Sequence, residues 1–176
     1  VFRLKSLYWT KYIYMKPHLF ILTTLFFSSF VYSQQMDQTK KEIIESIESH
    51  KENIISISDK IWRLAETSFE EFESSKLLSD YAEKNGFTVE KGVAGMPTAF
   101  VATYGEGKPV ISVLGEFDAL PGLSQDTTPT KKPLTEGGNG HGCGHNLFGA
   151  ASLASAIAIK EQIENGDLKG TIKFFG

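Results

Sequence analysis

The chain has 176 residues, 41% of them hydrophobic, and a formal net charge of −3. That suits one ordinary folded domain and excludes a disordered or collagen-like polymer. Mild acidity without basic runs argues against a nucleic-acid partner, and the single cysteine leaves no internal disulfide to reveal a redox compartment.

The first segment carries an address. Residues 15–35 read MKPHLFILTTLFFSSFVYSQQ: a short basic start, an apolar run from Leu19 to Val31, and the small Ser33. This is the order of a secretory signal peptide cleaved after Ser33, with residues 1–14 as an upstream extension. The apolar run is short for a bilayer and Gln34, Gln35 and Asp37 follow at once, so no stable membrane span is expected after cleavage. An uncleaved anchor is the alternative. Residues 1–33 are therefore set apart from residues 34–176, and a secreted or periplasmic location is expected.

From Asp37 a long helical pattern begins, with Ile43, Ile47, Ile54, Ile57, Ile61 and Leu64 at three-, four- and seven-residue steps. A second helix is expected near Glu70–Asn85, burying Phe72, Leu77, Leu78 and Tyr81 and stopped by Gly86. Phe87–Val93 reads as a strand. Phe100–Tyr104 and Val110–Leu114 read as the arms of a hairpin turned by GEGK, the second arm apolar enough to be buried on both faces. A polar loop from Pro121 to Gly140 follows, long enough to imply a functional or disordered segment. A small-residue helix then starts near Asn146, a candidate cap, and ends at Gly166. TIKFFG (171–176) begins a further strand, so strand, helix and strand from 109 to 176 read as a crossover unit of an α/β fold with a partly parallel, mixed sheet and flanking helices. A domain ending in an apolar strand is expected to be the N-terminal part of something longer.

Ligands in such sheets collect beyond the carboxyl ends of strands. Two features fall there. Glu116 and Asp118 follow the apolar strand directly, and GNGHGCGHN (138–146) precedes the long helix. A cysteine and a histidine two residues apart suit a borderline-soft divalent ion, zinc foremost. Nearby carboxylates can orient a ligand histidine or poise a base. Bland readings stand beside these: Cys143 as a small buried hydrophobe, His141 and His145 as solvated loop residues, Asp118 as a turn cap, Glu116 as a surface acid. Trp62 and His50 read as structural, and His18 belongs to the signal segment. The glycines do not form a phosphate cradle, since neither G-K-[ST] nor G-x-G-x-x-G occurs at the loop. A cysteine nucleophile would need a histidine more distant in sequence than His141 or His145.

LGEFDALPGLSQ (114–125), followed by GNGHGCGHNLFGAASLASAIAIKE (138–161), resembles the aminoacylase–carboxypeptidase family of metal-dependent amidohydrolases, peptidase family M20. LAETSFEEFESSKLLSDYAEKNGF (64–87) is similar to that family's opening helices. The resemblance implies metal ligation by Cys143 and His145 and an active-site acid at Asp118. Glu116 stands where more distant members carry a metal-binding histidine and is read as a neighbour of the metal. His141 matches the motif without being a usual ligand. Two divalent ions are implied in the full-length enzyme, zinc first with manganese or cobalt as alternatives. So is a glutamate pair just beyond a strand like TIKFFG, one member activating water and the other binding metal. Further ligands and a lid or dimerisation domain would lie downstream, leaving residues 34–176 as the N-terminal part of a catalytic domain. The implied reaction is hydrolysis of an N-acyl amino acid or dipeptide-like amide, a p-aminobenzoyl-glutamate-like substrate among them, by a homo- or hetero-oligomer. The competing expectation is a non-catalytic or truncated assembly subunit that keeps the fold. The isolated 176 residues are expected to be inactive.

Overall fold

The computed structural model describes the backbone of residues 17–176 and side chains from residue 38 onward. The chain divides into two compact units, Val1–Glu42 and Ile43–Gly176. Helix α1 is assigned over Pro17–Leu64, so the helical pattern that sequence places from Asp37 lies within it. The proposed leader extends into residues outside the described ones, and the side chains of its apolar run are outside them too. Among the described residues, no helix is long and apolar enough to cross a membrane.

In the second unit, α2 spans Phe72–Lys84 and α3 spans His145–Glu164. Four strands form one mixed sheet: β1 (Thr88–Lys91), β2 (Phe100–Glu106), β3 (Val110–Leu114) and β4 (Gly170–Phe175), in the order β1-β2-β4-β3. β4 runs antiparallel to β2, with Ala102 opposite Phe174, and parallel to β3, with Val113 opposite Phe174. The strand–helix–strand unit expected from sequence is therefore present, β3 reaching its parallel neighbour through α3. The expected hairpin is not. β4 inserts between β2 and β3, so the two arms never pair. Local alternation and a Gly-rich turn cannot register a partner that arrives about sixty residues later.

That insertion also corrects the burial of β3. It is an edge strand, and Val110, Ile111 and Leu114 are exposed rather than enclosed on both faces. The central strands are β2 and β4, whose Phe100, Ala102, Ile172 and Phe174 alternate inward and are inaccessible to solvent. On them pack Ile57 and Ile61 from α1, Leu78 and Ala82 from α2, and Leu153, Ala156 and Ile157 from α3. Each large aliphatic side chain buried there contributes about 1.5–3 kcal/mol. Ile47 and Leu64, at the ends of the α1 stripe, stay exposed.

Three smaller expectations also change. Phe72 is exposed, because α2 turns Ser74, Ser75, Leu78, Ser79, Tyr81 and Ala82 inward instead. Asn146 does not cap α3; it is buried one residue inside the helix and donates from Nδ2 to Ser58 Oγ at 3.1 Å. Trp62 is only half-buried and borders a cleft. The small residues of α3 serve a close approach. A Cβ on Gly149 would lie 2.9 Å from the Glu116 carbonyl oxygen, so the helix sits directly on the segment that leaves β3.

Candidate metal centre

Beyond β3 the chain continues extended, with Gly115, Phe117 and Ala119 buried and Glu116 and Asp118 turned outward. The two-residue period puts both carboxylates on one side of the segment. Phe117 anchors it, packing near Phe100 with ring centroids 6.3 Å apart. α3 begins opposite. Gly144 has φ +87°, a conformation that suits glycine, and His145 is the first helical residue.

His145 lies between the two acids. Its Nδ1 is 2.6 Å from Asp118 Oδ1 and its Nε2 is 3.1 Å from Glu116 Oε2. The second oxygen of Asp118 accepts a hydrogen bond from Ser68 Oγ at 2.7 Å. Partial burial opposes ionisation of Asp118. The hydrogen bonds from Ser68 and His145, with the imidazole's charge, outweigh it and hold the carboxyl below the usual aspartate range.

A neutral imidazole has one ring hydrogen. With Nδ1–H donated to Asp118, Nε2 is a lone pair facing a carboxylate oxygen, an acceptor against an acceptor. A cation between Nε2 and Glu116, or a second ring proton, resolves that arrangement. Glu116, Asp118 and His145 offer ligand atoms that all lie within 4.8 Å of one another. One imidazole oriented by a carboxylate, with another carboxylate beside its free nitrogen, is a donor set that fits a divalent metal.

The other residues singled out from sequence occupy neighbouring positions. Cys143 is exposed in the loop two residues before His145, outside that trio, and is not a buried hydrophobe. His141 is half-buried, with Nε2 3.1 Å from the Ile61 carbonyl oxygen; burial disfavours its protonated form and keeps its pKa low. His50 is structural, bridging Tyr81 Oη (2.7 Å) and Glu161 Oε1 (3.0 Å) on the helices.

The long loop is ordered. The Gln125 amide donates to the Asp126, Thr128 and Thr130 carbonyls and accepts from Lys132 N–H. Leu120 and Gly140 exchange backbone hydrogen bonds at 3.0 Å, and a Cβ at Gly140 would collide with the Leu123 carbonyl. Between loop and α1 lies a cleft of about 190 Å³, bordered by Trp62, Leu123, Leu134, Asn139 and His141.

Sequence reasoning missed two parts of this corner. The alternation in Gly-Glu-Phe-Asp-Ala carries the signal that would have paired Glu116 with Asp118. Ser68 carries none, since it lies fifty residues away in an aperiodic connector.

No protein-family model matches the chain. Over 144 residues it is 46% identical to one of the two kinds of chain named for p-aminobenzoyl-glutamate hydrolase, that of Escherichia coli, covering 80% of this chain and 30% of that protein. Thermostable carboxypeptidase 2 of Saccharolobus solfataricus is 34% identical over 117 residues, covering 65% of this chain and 28% of its own length. Among solved structures, a dinuclear metal-binding peptidase of the M20 family from Bacillus subtilis superposes with a TM-score of 0.56 at 27% identity. That match covers 71% of this chain and 35% of the peptidase. The chain thus spans about 30% of the length of the curated relatives it matches.

Proposed function

Because this chain belongs to the M20 family of metal-dependent peptidases and amidohydrolases, we propose that the protein it is part of hydrolyses an amide bond of an N-acyl amino acid or dipeptide-like substrate. The observation that carries this reading is His145 held between Asp118 and Glu116, an oriented imidazole whose second nitrogen faces a carboxylate at 3.1 Å. A p-aminobenzoyl-glutamate-like amide is the first substrate to try, given the name of the Escherichia coli relative.

In this reading Cys143 and His145 bind metal and Asp118 is the active-site acid. Glu116 joins as a further candidate ligand through Oε2, on the strength of its approach to His145. The residues already present do three things. Asp118 fixes the imidazole plane and keeps the ring hydrogen on Nδ1, so that Nε2 is the lone pair. Phe117, buried between the two acids, fixes the backbone that carries them. The start of α3 supplies the rigid platform for His145. A divalent ion bound there, zinc foremost with manganese or cobalt as alternatives, polarises a carbonyl and lowers the pKa of water. The dinuclear character of the Bacillus subtilis peptidase supports two ions in the full-length enzyme.

Export belongs to the same proposal, supported by the basic, apolar and small-residue order of residues 15–33. Amino-terminal sequencing of the mature protein checks it: a start at Gln34 supports cleavage, and a retained apolar run overturns it. Assembly of the full-length protein into an oligomer is supported by the name of the Escherichia coli relative, which makes it a subunit of its hydrolase. The enzymatic reading is tested with the full-length protein on a panel of N-acyl amino acids and dipeptides. Turnover that a chelator abolishes and a divalent ion restores is expected. A metal-loaded protein that hydrolyses none of them favours the non-catalytic assembly role.

A further inference from the structure

The connector between α1 and α2 includes Ala65–Phe69, and the backbone of that stretch is strained at both ends. Ala65 has φ +46° and Phe69 has φ +69°, a region that side-chain-bearing residues rarely occupy. Packing does not explain the second outlier, since Phe69 is 65% exposed. Strain that persists at an exposed position is held by the groups around it, and such positions concentrate at functional sites.

The groups that hold the connector are visible. Glu66 accepts from Glu73 N–H at 3.1 Å, Ser74 N–H at 2.8 Å and Ser74 Oγ at 2.6 Å, which ties the segment to the first turn of α2. The Glu66 carbonyl accepts from Ala119 N–H at 2.7 Å, and Thr67 bridges Ala119 in a parallel sense. The connector is thereby clamped beside the residue that follows Asp118. The side chain it delivers there is Ser68, whose Oγ donates to Asp118 Oδ2 at 2.7 Å. Ser68 is exposed, so water could satisfy its hydroxyl; burial does not force this bond.

We infer that Ser68 is a positioning residue: its hydroxyl fixes the plane of the Asp118 carboxylate so that Oδ1 stays on His145 Nδ1. The terminal torsion of an aspartate is broad and two-fold. One hydrogen bond, to His145, leaves the carboxylate free to swing about that contact. A second, on the opposite oxygen, removes the freedom and with it the freedom of the imidazole. The connector is then a third arm of the site, alongside the exit of β3 and the start of α3. This rests on the metal-centre reading only for its consequence in the enzyme, not for the orientation itself.

The test uses the full-length protein as wild type, Ser68→Ala and Ser68→Thr. Two readouts are taken: protection of the His145 ring N–H from solvent exchange in the metal-free protein, by NMR, and the metal dissociation constant, by chelator competition. Loss of the protected ring proton is expected in Ser68→Ala, with a roughly ten-fold weaker metal affinity, a lower kcat at unchanged KM, and recovery of all three in Ser68→Thr. Equal ring protection in wild type and Ser68→Ala overturns the inference. If the wild type binds no metal yet shows the Ser68-dependent ring proton, the proposed function fails and the positioning role stands.

Discussion

Replacing Asp118 by asparagine isolates the contribution of one charge. In the native site Asp118 accepts from His145 Nδ1–H and from Ser68 Oγ. Hydrogen bonds to a charged group contribute about 1.5–3 kcal/mol, against about 0.5–1.5 kcal/mol for neutral pairs. The side chains of Asp118 and His145 are only 21% and 18% exposed, so solvent screening discounts this little. The Ser68 hydroxyl can rotate to accept from an amide and lose less. The imidazole bond therefore dominates, at about 1–2 kcal/mol lost. An asparagine can also present its NH₂ to Nδ1, which moves the ring hydrogen to Nε2 and removes the lone pair facing Glu116. Both routes weaken metal binding, by about ten- to a hundred-fold. Chelator competition on full-length Asp118→Asn measures it, with a thermal melt to establish that the fold is intact. A dissociation constant within about two-fold of wild type, in a folded protein, refutes the orienting role.

Other outcomes follow from the same geometry. Cys143→Ser is expected to reduce both metal retention and turnover of the full-length protein; unchanged activity contradicts its assignment as a ligand. Gly149→Val forces a side chain against the Glu116 carbonyl and Phe117 Cβ, 2.9 and 3.1 Å from the first added carbon. It should destabilise the fold by about 1–3 kcal/mol in chemical denaturation and lower metal affinity, whereas a wild-type melting curve would mean that α3 does not rest on that segment. Asp118 has a lowered folded pKa, so its ionised form stabilises the fold. That stabilisation is fully present above the unfolded aspartate pKa of about 3.9 and is lost as pH falls through the lower folded value. The stability difference between wild type and Asp118→Asn, measured metal-free, should therefore shrink in acid, and a pH-independent difference would contradict the charge's role.

Elements governed by local chemistry were legible before any coordinates. The α2 stop at Gly86, the alanine-rich α3, the strands β1 to β4 and the parallel return of β4 all follow from periodicity and breakers within a few residues. The sheet order was not legible: the alternation of Phe100–Tyr104 and Val110–Leu114 fits a hairpin as well as two strands separated by β4, and the choice is made by α3 packing, at long range. The exposure of β3 was missed for the same reason, since an apolar edge strand and a buried central strand share a composition. At the site, sequence brought Asp118, Cys143 and His145 to one rim. It did not reveal that His145 would bridge Asp118 to Glu116, because that depends on Phe117 turning inward. Ser68 was invisible, its role being set by a strained backbone that no residue pattern announces.

The central claim is that the corner built from Glu116, Asp118 and His145 belongs to a metal site that splits amides. Elemental analysis of the full-length protein at neutral pH, as wild type and as His145→Ala, tests it most directly. At least one divalent ion per chain in the wild type, sharply reduced in a folded His145→Ala, is the result expected. A wild type holding less than one ion per chain, or a variant that retains the wild-type content, contradicts the account.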